Sequence, residues 1–569
     1  MILSKLCDYY ERMLNIPTWG FAVRKVHFGL LLDPSGKLLD VLDLRSPQTG
    51  TIRPAGMVVP ESVQRSCTPS PNFMCDHAEY VLGDDGNNPA RALERFETFK
   101  QLHHRIGDVI VDPGMKAVLR FLDTWHPSGA LQLPYHDEMS GGGNLVFKLD
   151  GDLIYVHDHS AVKAAWLKYY SRPKPGIIST CLISGRNQPI ARLHPKIKGV
   201  YGAQATGGSL VSFEPHSFRF FMKTKGYNAP IGESAAFKYA TALNHLLRID
   251  SKQKTRIGDT TIVFWTERDT PFEGFMGLVF YNPNGESAEL QNFLRSARDG
   301  KHYPDMDLRN MAFYILGLAS SAGRISVRLW LMSTVQEMAG KLGQHFRDLL
   351  IVRNPDFDPE FPGIAQLLRA VAPAGKSEKI PPPLIGALAR SVLSGGAYPR
   401  MLLALILLRF RSDRKSSGNM DYLRAAMVKA FLSRQYRITN QTKEMKMSLD
   451  KGNTNTAYQL GRLFAALEKV QRDALGKTSA TIRDRFFGSA MLTPCSAFPQ
   501  LLRLSQHHIS KSRFGVQSDR MIEEITGGMN SFPKHLNLED QGMFVIGYYH
   551  QRRAFFDSGP GDEPEQPQE

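Results

Sequence analysis

NPDFDPEFPG (354–363) and APAGKSEKIPPP (372–383) divide the chain into two halves of different character. Proline has no N–H to give to a helix interior or a sheet ladder, so seven prolines in two short stretches break both structures and leave room between them for one short helix. After them, nearly every long segment carries a helical period. From Tyr458 to Leu475, the residues Leu460, Leu463, Phe464, Leu467 and Val470 recur at spacings of three and four, the core-facing stripe of an amphipathic helix. ALARSVLSG (387–395), MLLALILLRF (401–410), DYLRAAMVKAFLSRQ (421–435) and FPQLLRLSQHHISK (498–511) read the same way, so the C-terminal part is expected to be a helical bundle.

Before the prolines the character is mixed. VRKVHFGLLLD-PSG-KLLDVLDLR (23–45) reads as two extended runs around a Pro-Ser-Gly turn. GGGNLVFKLDG (141–151), DLIYVHDH (152–159), GIISTCLIS (176–184), SLVSFE (209–214) and TTIVFWTE (260–267) are further strand-like pieces bounded by Gly or polar residues. Helices are expected from Leu6 to Leu14, from Asn88 to Arg105, through Trp166, and over 234–249, where Phe237, Ala240, Leu243 and Leu247 share a face. The predicted fold is α+β: a mixed α/β N-terminal and central region followed by a C-terminal α-helical bundle. The expected divisions are 1–215, 216–353, 354–446, 447–556, and a disordered acidic tail at 557–569.

Seventy Lys and Arg against 55 Asp and Glu give a net charge of +15, which favours a polyanionic partner because neutralised phosphates release condensed counterions. The five cysteines are scattered and form no C-x-x-C pair, so a reducing cytoplasm is expected. MILSKLCDYYERMLN carries Asp8, Glu11 and Arg12 where a signal peptide needs an apolar core, and the longest apolar run, Met401 to Leu408, is too short to span a bilayer. No membrane association is expected.

Motifs of catalysis fail one by one. Gly476-Lys477-Thr478 ends like a phosphate-binding loop, but it follows a helix and lacks the preceding glycine. His157-Asp158-His159 on an extended segment would place Asp158 on the face opposite the histidines, and His507 and His508 face different directions on a helix. No G-x-S-x-G elbow is present. No catalytic residue, metal or cofactor is expected, although a metal-dependent nuclease built on His157, Asp158 and His159 is the alternative to test. Two glycine-rich stretches read equally as turns or as places where backbone N–H groups approach phosphate: 202–208, beside Arg192, Lys196 and Lys198 and including Gln204, Gly207 and Gly208; and 141–143, before Asn144 and Lys148. From Met447 to Arg553 there are 14 Lys and Arg against 9 Asp and Glu. Arg462, Arg483, Arg485, Lys511 and Arg513 are the cations there that could track a single strand, the alternative being a solvated helix face.

Four segments in order, PNFMCDHAEYVLG (71–83), ISGRNQPIARLHPKIKGVYGAQATGGSLVSFE (183–214), YNAPIGESAAFKYATALNHLL (227–247) with IGDTTIVFWTE (257–267), and GLASSAGRISVRLW (317–330), resemble the large subunit of type I-C Cascade, a CRISPR RNA-guided surveillance complex. The resemblance covers essentially the whole chain. It implies a non-catalytic scaffold that contacts the 5′ handle of the guide RNA, inspects duplex DNA for the protospacer-adjacent motif (PAM), and stabilises the R-loop with its displaced non-target strand. It also implies assembly with the backbone and small subunits of that complex and recruitment of a helicase-nuclease. Asn72 in PNF is then the candidate base reader, since an amide both donates to and accepts from base edges; an Asx turn is the plain alternative. Asn144 and Lys148 are placed with it on DNA, and Arg192, Lys196, Lys198, Gln204, Gly207 and Gly208 on the guide handle or a backbone. A third reading keeps the assembly role but limits the basic surface to guide RNA. The family makes its small subunit from a start inside the large-subunit gene; Met447, after Lys443-Glu444, whose codons can spell a ribosome-binding sequence, is the candidate start here.

Overall fold

A computed structural model describes residues 1–557 apart from 14–15, 49–50, 64, 66–67, 85–87, 173–176, 214–222, 282, 285–286, 302–309, 322, 414–419, 442–444 and 477–479. The expected tail, Lys477 and Thr478, and Lys443-Glu444 lie outside the described residues. The fold is α+β, and among the described residues every strand lies before residue 335 and only helices after it. Two compact units form: Met1–Pro195 with Val211–Ala242, and Lys196–Leu210 with everything from Leu243 onward. No described helix is long and apolar enough to cross a membrane.

The first unit is built on a four-stranded sheet. After helix α1 (Ile2–Arg12) come β1 (Phe21–Val26), β2 (Phe28–Leu32) and β3 (Leu38–Asp43), then a short ribbon of β4 (Ser46–Gln48) and β5 (Thr51–Arg53), then β6 (Ala55–Pro60) and β7 (Asp76–His77). Helices α2 (Ala78–Val81), α3 (Pro89–Gly107), α4 (Pro113–Thr124) and α5 (His136–Ser140) lead to β8 (Asn144–Leu149), α6 (Ser160–Tyr170), β9 (Ile178–Thr180), β10 (Asn187–Pro189) and α7 (Glu233–Leu246). The sheet order is β3-β2-β8-β7. The expected hairpin is there: β2 and β3 pair antiparallel around Pro34-Ser35-Gly36. Gly36 has φ +88, and a Cβ on it would sit 2.6 Å from the Phe121 backbone nitrogen, so the turn needs glycine twice over. The long first run of that hairpin, however, divides at His27; β1 pairs with β6 instead, and β2 pairs in parallel with β8. Phe28, Leu30, Leu32, Phe147 and Leu149 of this sheet pack under Phe99, Phe121, Leu122 and Trp166.

Two expected strands do not form. DLIYVHDH is a turn followed by a 3-10 turn at Val156–Asp158, because the chain leaves the sheet at Gly151 (φ +82) and sets Leu153 out in solvent with nothing to pair against. Over the described part of SLVSFE, only Ser209 pairs, in an isolated bridge to Arg324.

The second unit carries β11 (Lys254–Ile257), β12 (Thr260–Thr266), α8 (Pro271–Tyr281), α9 (Ala288–Arg298), β13 (Ala312–Ser321) and β14 (Arg324–Thr334), an antiparallel sheet in the order β11-β12-β13-β14. Then come α10 (Val335–Leu349), α11 (Ile364–Val371), α12 (Pro382–Ser394), α13 (Arg400–Ser412), α14 (Met420–Ile438), α15 (Thr456–Leu475), α16 (Ile482–Leu492), α17 (Pro494–Ile509), α18 (Gly515–Gly527) and α19 (Leu538–Asp557). One apolar core runs from Ile262, Phe264 and Phe313 of the sheet through Leu367 and Leu403 to Phe464 and Phe544. The prolines at 354–383 therefore shape surface connections within one body, and the divisions expected at 353 and 446 are not breaks in packing.

Two features hold this body together. Asp348 on α10 is 3% exposed and Arg434 on α14 is 1% exposed. Arg434 Nε donates to Asp348 at 2.9 Å, Arg437 donates to the same carboxylate at 2.8 Å, and Arg434 also donates to the Ser391 and Gly396 carbonyls. The second feature is a glycine seam. A Cβ on Gly461 of α15 would meet the Phe544 carbonyl oxygen of α19 at 2.0 Å, and one on Gly547 of α19 would meet the Tyr458 carbonyl oxygen of α15 at 2.1 Å. The backbones of α15 and α19 touch there.

Candidate nucleic-acid interface

Pro71 to His77 fold into a tightly wired loop. Phe73 and Met74 are buried, and Phe73 stacks on Trp166 at 5.3 Å and on His103 at 5.0 Å between centroids. Met74 takes a left-handed backbone (φ 61), rare for a non-glycine residue, and its N–H donates to His103 Nε2 at 3.0 Å. Burial pushes the His103 pKa down to about 3, so the ring is neutral, with Nδ1 left to donate to the Phe99 carbonyl at 2.8 Å. Asp76, fully buried, accepts the N–H groups of Asn72 and His77 at 2.8 Å each and is paired with the Arg65 guanidinium. Burial nevertheless raises its carboxyl above the ordinary range.

This wiring presents Asn72. The residue is half-buried, its Oδ1 accepts the Val63 N–H at 2.9 Å, and its NH2 group has no partner among the described residues. The fixed acceptor sets the orientation of the amide and leaves the donor available.

β7 carries the loop onto the edge of the sheet, where His77 pairs with Asn144. The structure thus brings the Asn72 loop and Asn144 to one end of the sheet. Asn144 is largely committed: its Nδ2 donates to the Lys25 carbonyl at 2.7 Å and its N–H to His27 Nδ1 at 3.1 Å. Lys148 is half-buried, with Nζ 5.8 Å from the Tyr155 ring centroid.

The same end of the sheet holds an aromatic tier that the sequence did not reveal. Tyr135 stacks on buried Phe28 at 5.6 Å and 26°, and Arg45 lies over both rings, 4.6 Å from Phe28 and 5.6 Å from Tyr135. His27 sits 6.5 Å from Phe28. The periodicity of 133–143 gives no strand or helix to hang Tyr135 on, and its partner Phe28 is more than a hundred residues away.

The glycine loop departs from expectation. Gly207 and Gly208 are buried, with Cβ room blocked by the Ile197 carbonyl and the Ile325 side chain, respectively. Their N–H groups are already given to the Gln204 and Ile197 carbonyls at 2.8 and 2.9 Å, so these two glycines close a turn and cannot cradle a phosphate. What the turn offers is its exposed tip and flank. Gln204 and Lys198 are exposed, Lys196 Nζ reaches Ser209 at 2.8 Å, and the exposed Arg256 lies over the Tyr201 ring at 3.1 Å. Arg192, in the first unit, is exposed.

The cations of the helical part divide in two. Arg462 is buried, donating to Gln551 at 3.1 Å and Gln459 at 3.0 Å and pairing with Glu524 at 3.4 Å; it ties α15 to α18 and α19. Arg483 pairs with Asp421 at 3.1 Å beneath Phe487 and Tyr548. Both were expected to be strand-binding and are instead interior ties: Arg462 is buried and holds the buried amides of Gln459 and Gln551, and the Arg483 side chain, 12% exposed, is spent on Asp421. Arg485, Lys511 and Arg513 are exposed, and Arg513 lies over the Phe514 ring at 4.6 Å. Met447 is exposed in its side chain, and its carbonyl accepts the Val352 N–H at 2.8 Å.

His157 and His159 do not converge. His157 is buried against Tyr155, and burial pushes its pKa to about 4; His159 bonds Asp112 at 2.9 Å and reaches Asp152 at 3.3 Å. Among the described residues, no three His, Cys, Asp or Glu side chains are grouped to hold a metal ion.

Residues 6–556 match the family described as CRISPR-associated protein (Cas_Csd1). No curated protein matches the chain.

Proposed function

The chain belongs to the Cas_Csd1 family of CRISPR-associated proteins, and from that membership we propose that it is the non-catalytic large subunit of a type I-C RNA-guided surveillance complex. In this reading it recognises the PAM in duplex DNA, contacts the guide RNA 5′ handle, stabilises the R-loop with the displaced strand, and helps recruit the helicase-nuclease, alongside backbone and small subunits. Guide–target pairing supplies the rest of the sequence recognition.

The observation that carries the proposal is Asn72: an amide with its acceptor fixed on Val63 and its donor without a partner among the described residues, on a loop locked by Asp76, Arg65 and His103. A rigid donor of this kind can discriminate base edges at about 1–3 kcal/mol per good contact. Asn72→Asp is the informative variant, because it keeps the oxygen for Val63 and removes the NH2. In the assembled complex it is expected to lower affinity for PAM-bearing duplex about 5- to 100-fold while assembly proceeds normally. Unchanged discrimination among duplexes in both Asn72→Asp and Asn72→Ala would remove this residue from the reading. In the same titrations, the combined Arg485, Lys511 and Arg513 alanine variant should weaken binding to all sequences and flatten the log–log salt slope by about 2–3. Sustained metal-dependent DNA cleavage by the purified chain would overturn the non-catalytic part.

Met447 is proposed as an internal translation start for a small subunit. Support comes from the glycine seam, which packs the first and last helices after Met447 against each other. Yet Tyr549 donates to the Val352 carbonyl at 2.8 Å, and Arg483 pairs with Asp421, so a separate copy would release bonds it makes in the long chain. Changing the Met447 codon to a non-start codon should abolish a short C-terminal product on immunoblot; persistence of that product at the same size refutes the assignment.

A further inference from the structure

Tyr135 sits in a conformation that its chemistry disfavours. Its φ is +61, and a bulky aromatic residue in the left-handed region is a genuine outlier, costing of the order of the strain seen at ligand clamps and active sites. Glycine or asparagine would hold the same backbone without that strain. The ring covers Phe28, which is fully buried with Tyr135 in place, yet Tyr135 itself remains 41% exposed. An aromatic ring is thus kept half in solvent at a position where the backbone prefers something else.

Its surroundings suit a planar ligand. Arg45, held on Asp43 at 2.8 Å, lies over both rings and stiffens them from the side. Lys25 is exposed and its side chain has no hydrogen-bond or ion-pair partner among the described residues; its carbonyl holds the Asn144 amide. His27 next to it is depressed in pKa by burial and then by Arg45, His77 and Lys25, with Asp43 acting the other way. A flat, half-exposed ring backed by a second ring and a guanidinium is an arrangement that stacks one base.

From these observations we infer that Tyr135, backed by Phe28 and Arg45, is a stacking platform for an unpaired DNA base beside the motif-reading loop. The inference rests on the DNA-reading role proposed above and adds a distinct ligand, a base out of its duplex, at the end of the sheet where Phe28, Leu145 and Asp76 lie in one row. A base leaving the stack loses its neighbours, and the platform returns part of that loss, so the site favours opened over closed duplex.

The test uses the full chain and two probes: a DNA duplex with one bulged 2-aminopurine, and the same duplex fully paired. Wild-type protein should bind the bulged duplex more tightly and quench its fluorescence. Tyr135→Asn relieves the backbone and removes the ring. It is expected to keep or raise the melting temperature, leave paired-duplex binding within about twofold, and weaken binding of the bulged duplex about 5- to 100-fold. Tyr135→Phe should behave as wild type. A Tyr135→Asn protein that melts lower and still prefers the bulge makes Tyr135 a packing residue and overturns the inference. Preference for the equivalent bulged RNA alone also overturns it. Failure of the Asn72 reading shows differently: sequence discrimination is then absent while the bulge preference and its loss in Tyr135→Asn persist.

Discussion

Replacing Asp348 with alanine should destabilise the second unit by about 3–5 kcal/mol, read as a lowered thermal or urea midpoint of the full chain. The magnitude follows from what is left behind. Arg434 is 1% exposed, stacks 4.1 Å over Tyr398, and has its Nε committed to Asp348. Without the carboxylate, a guanidinium that cannot lose its proton is confined with two carbonyls and a ring. Arg437 is half-exposed and can turn to water, so it contributes little of the loss. The double variant Asp348→Leu with Arg434→Leu supplies the internal check, since removing both charges removes the stranded one. It should recover most of the lost stability. A double variant as unstable as the single would mean that shape at this site matters more than charge.

Alanine at Gly547 or Gly461 poses a contest between two effects of known size. In a helix interior, Gly to Ala is favourable by up to about 1 kcal/mol. Against that, the new methyl group would lie about 2 Å from a carbonyl oxygen of the facing helix, and backbone cannot step aside as a side-chain tip can. Helices α15 and α19 must part, and overpacking of this kind costs about 1–3 kcal/mol or more. The contact term wins, and a net loss of about 2–3 kcal/mol is expected in either single variant. The two sites lie on one seam, so a single separation accommodates both, and the double variant should lose clearly less than the sum. Additive losses, or a rise in melting temperature, would show that the helices do not touch at these glycines.

The sequence made local features legible. The Pro-Ser-Gly turn, the apolar stripe of α15 and the segregation of strands before helices all depend on neighbours within a few residues. Features set by distant partners stayed hidden. Nothing in VRKVHFGLLLD announces a change of partner at His27, because that change is made by β6, about 30 to 40 residues on, and by β8, more than a hundred residues away. Arg462 and Arg483 read as surface cations because charge and period assign a polar face to solvent, whereas α15 is covered on its polar face by α18 and α19. The glycines at 207–208 illustrate the same limit: their spacing is equally that of a phosphate cradle and of a turn, and only the occupied N–H groups decide. Asn72 could be singled out in advance through the resemblance, but the fixing of its amide by Val63 could not.

The glycine seam also sets a timetable for folding. Tyr548 of α19 donates to Glu468 of α15 across 80 residues of chain, and the seam joins helices that begin and end the last segment. During synthesis at about 5–20 residues per second, α15 emerges roughly 4–16 seconds before its closest partner exists. Through that interval, Leu460, Leu463, Phe464 and Leu467 have no α19 to close over them, and the nascent protein is most exposed to wrong association. A product started at Met447 would face the same wait, with fewer earlier helices to shelter it.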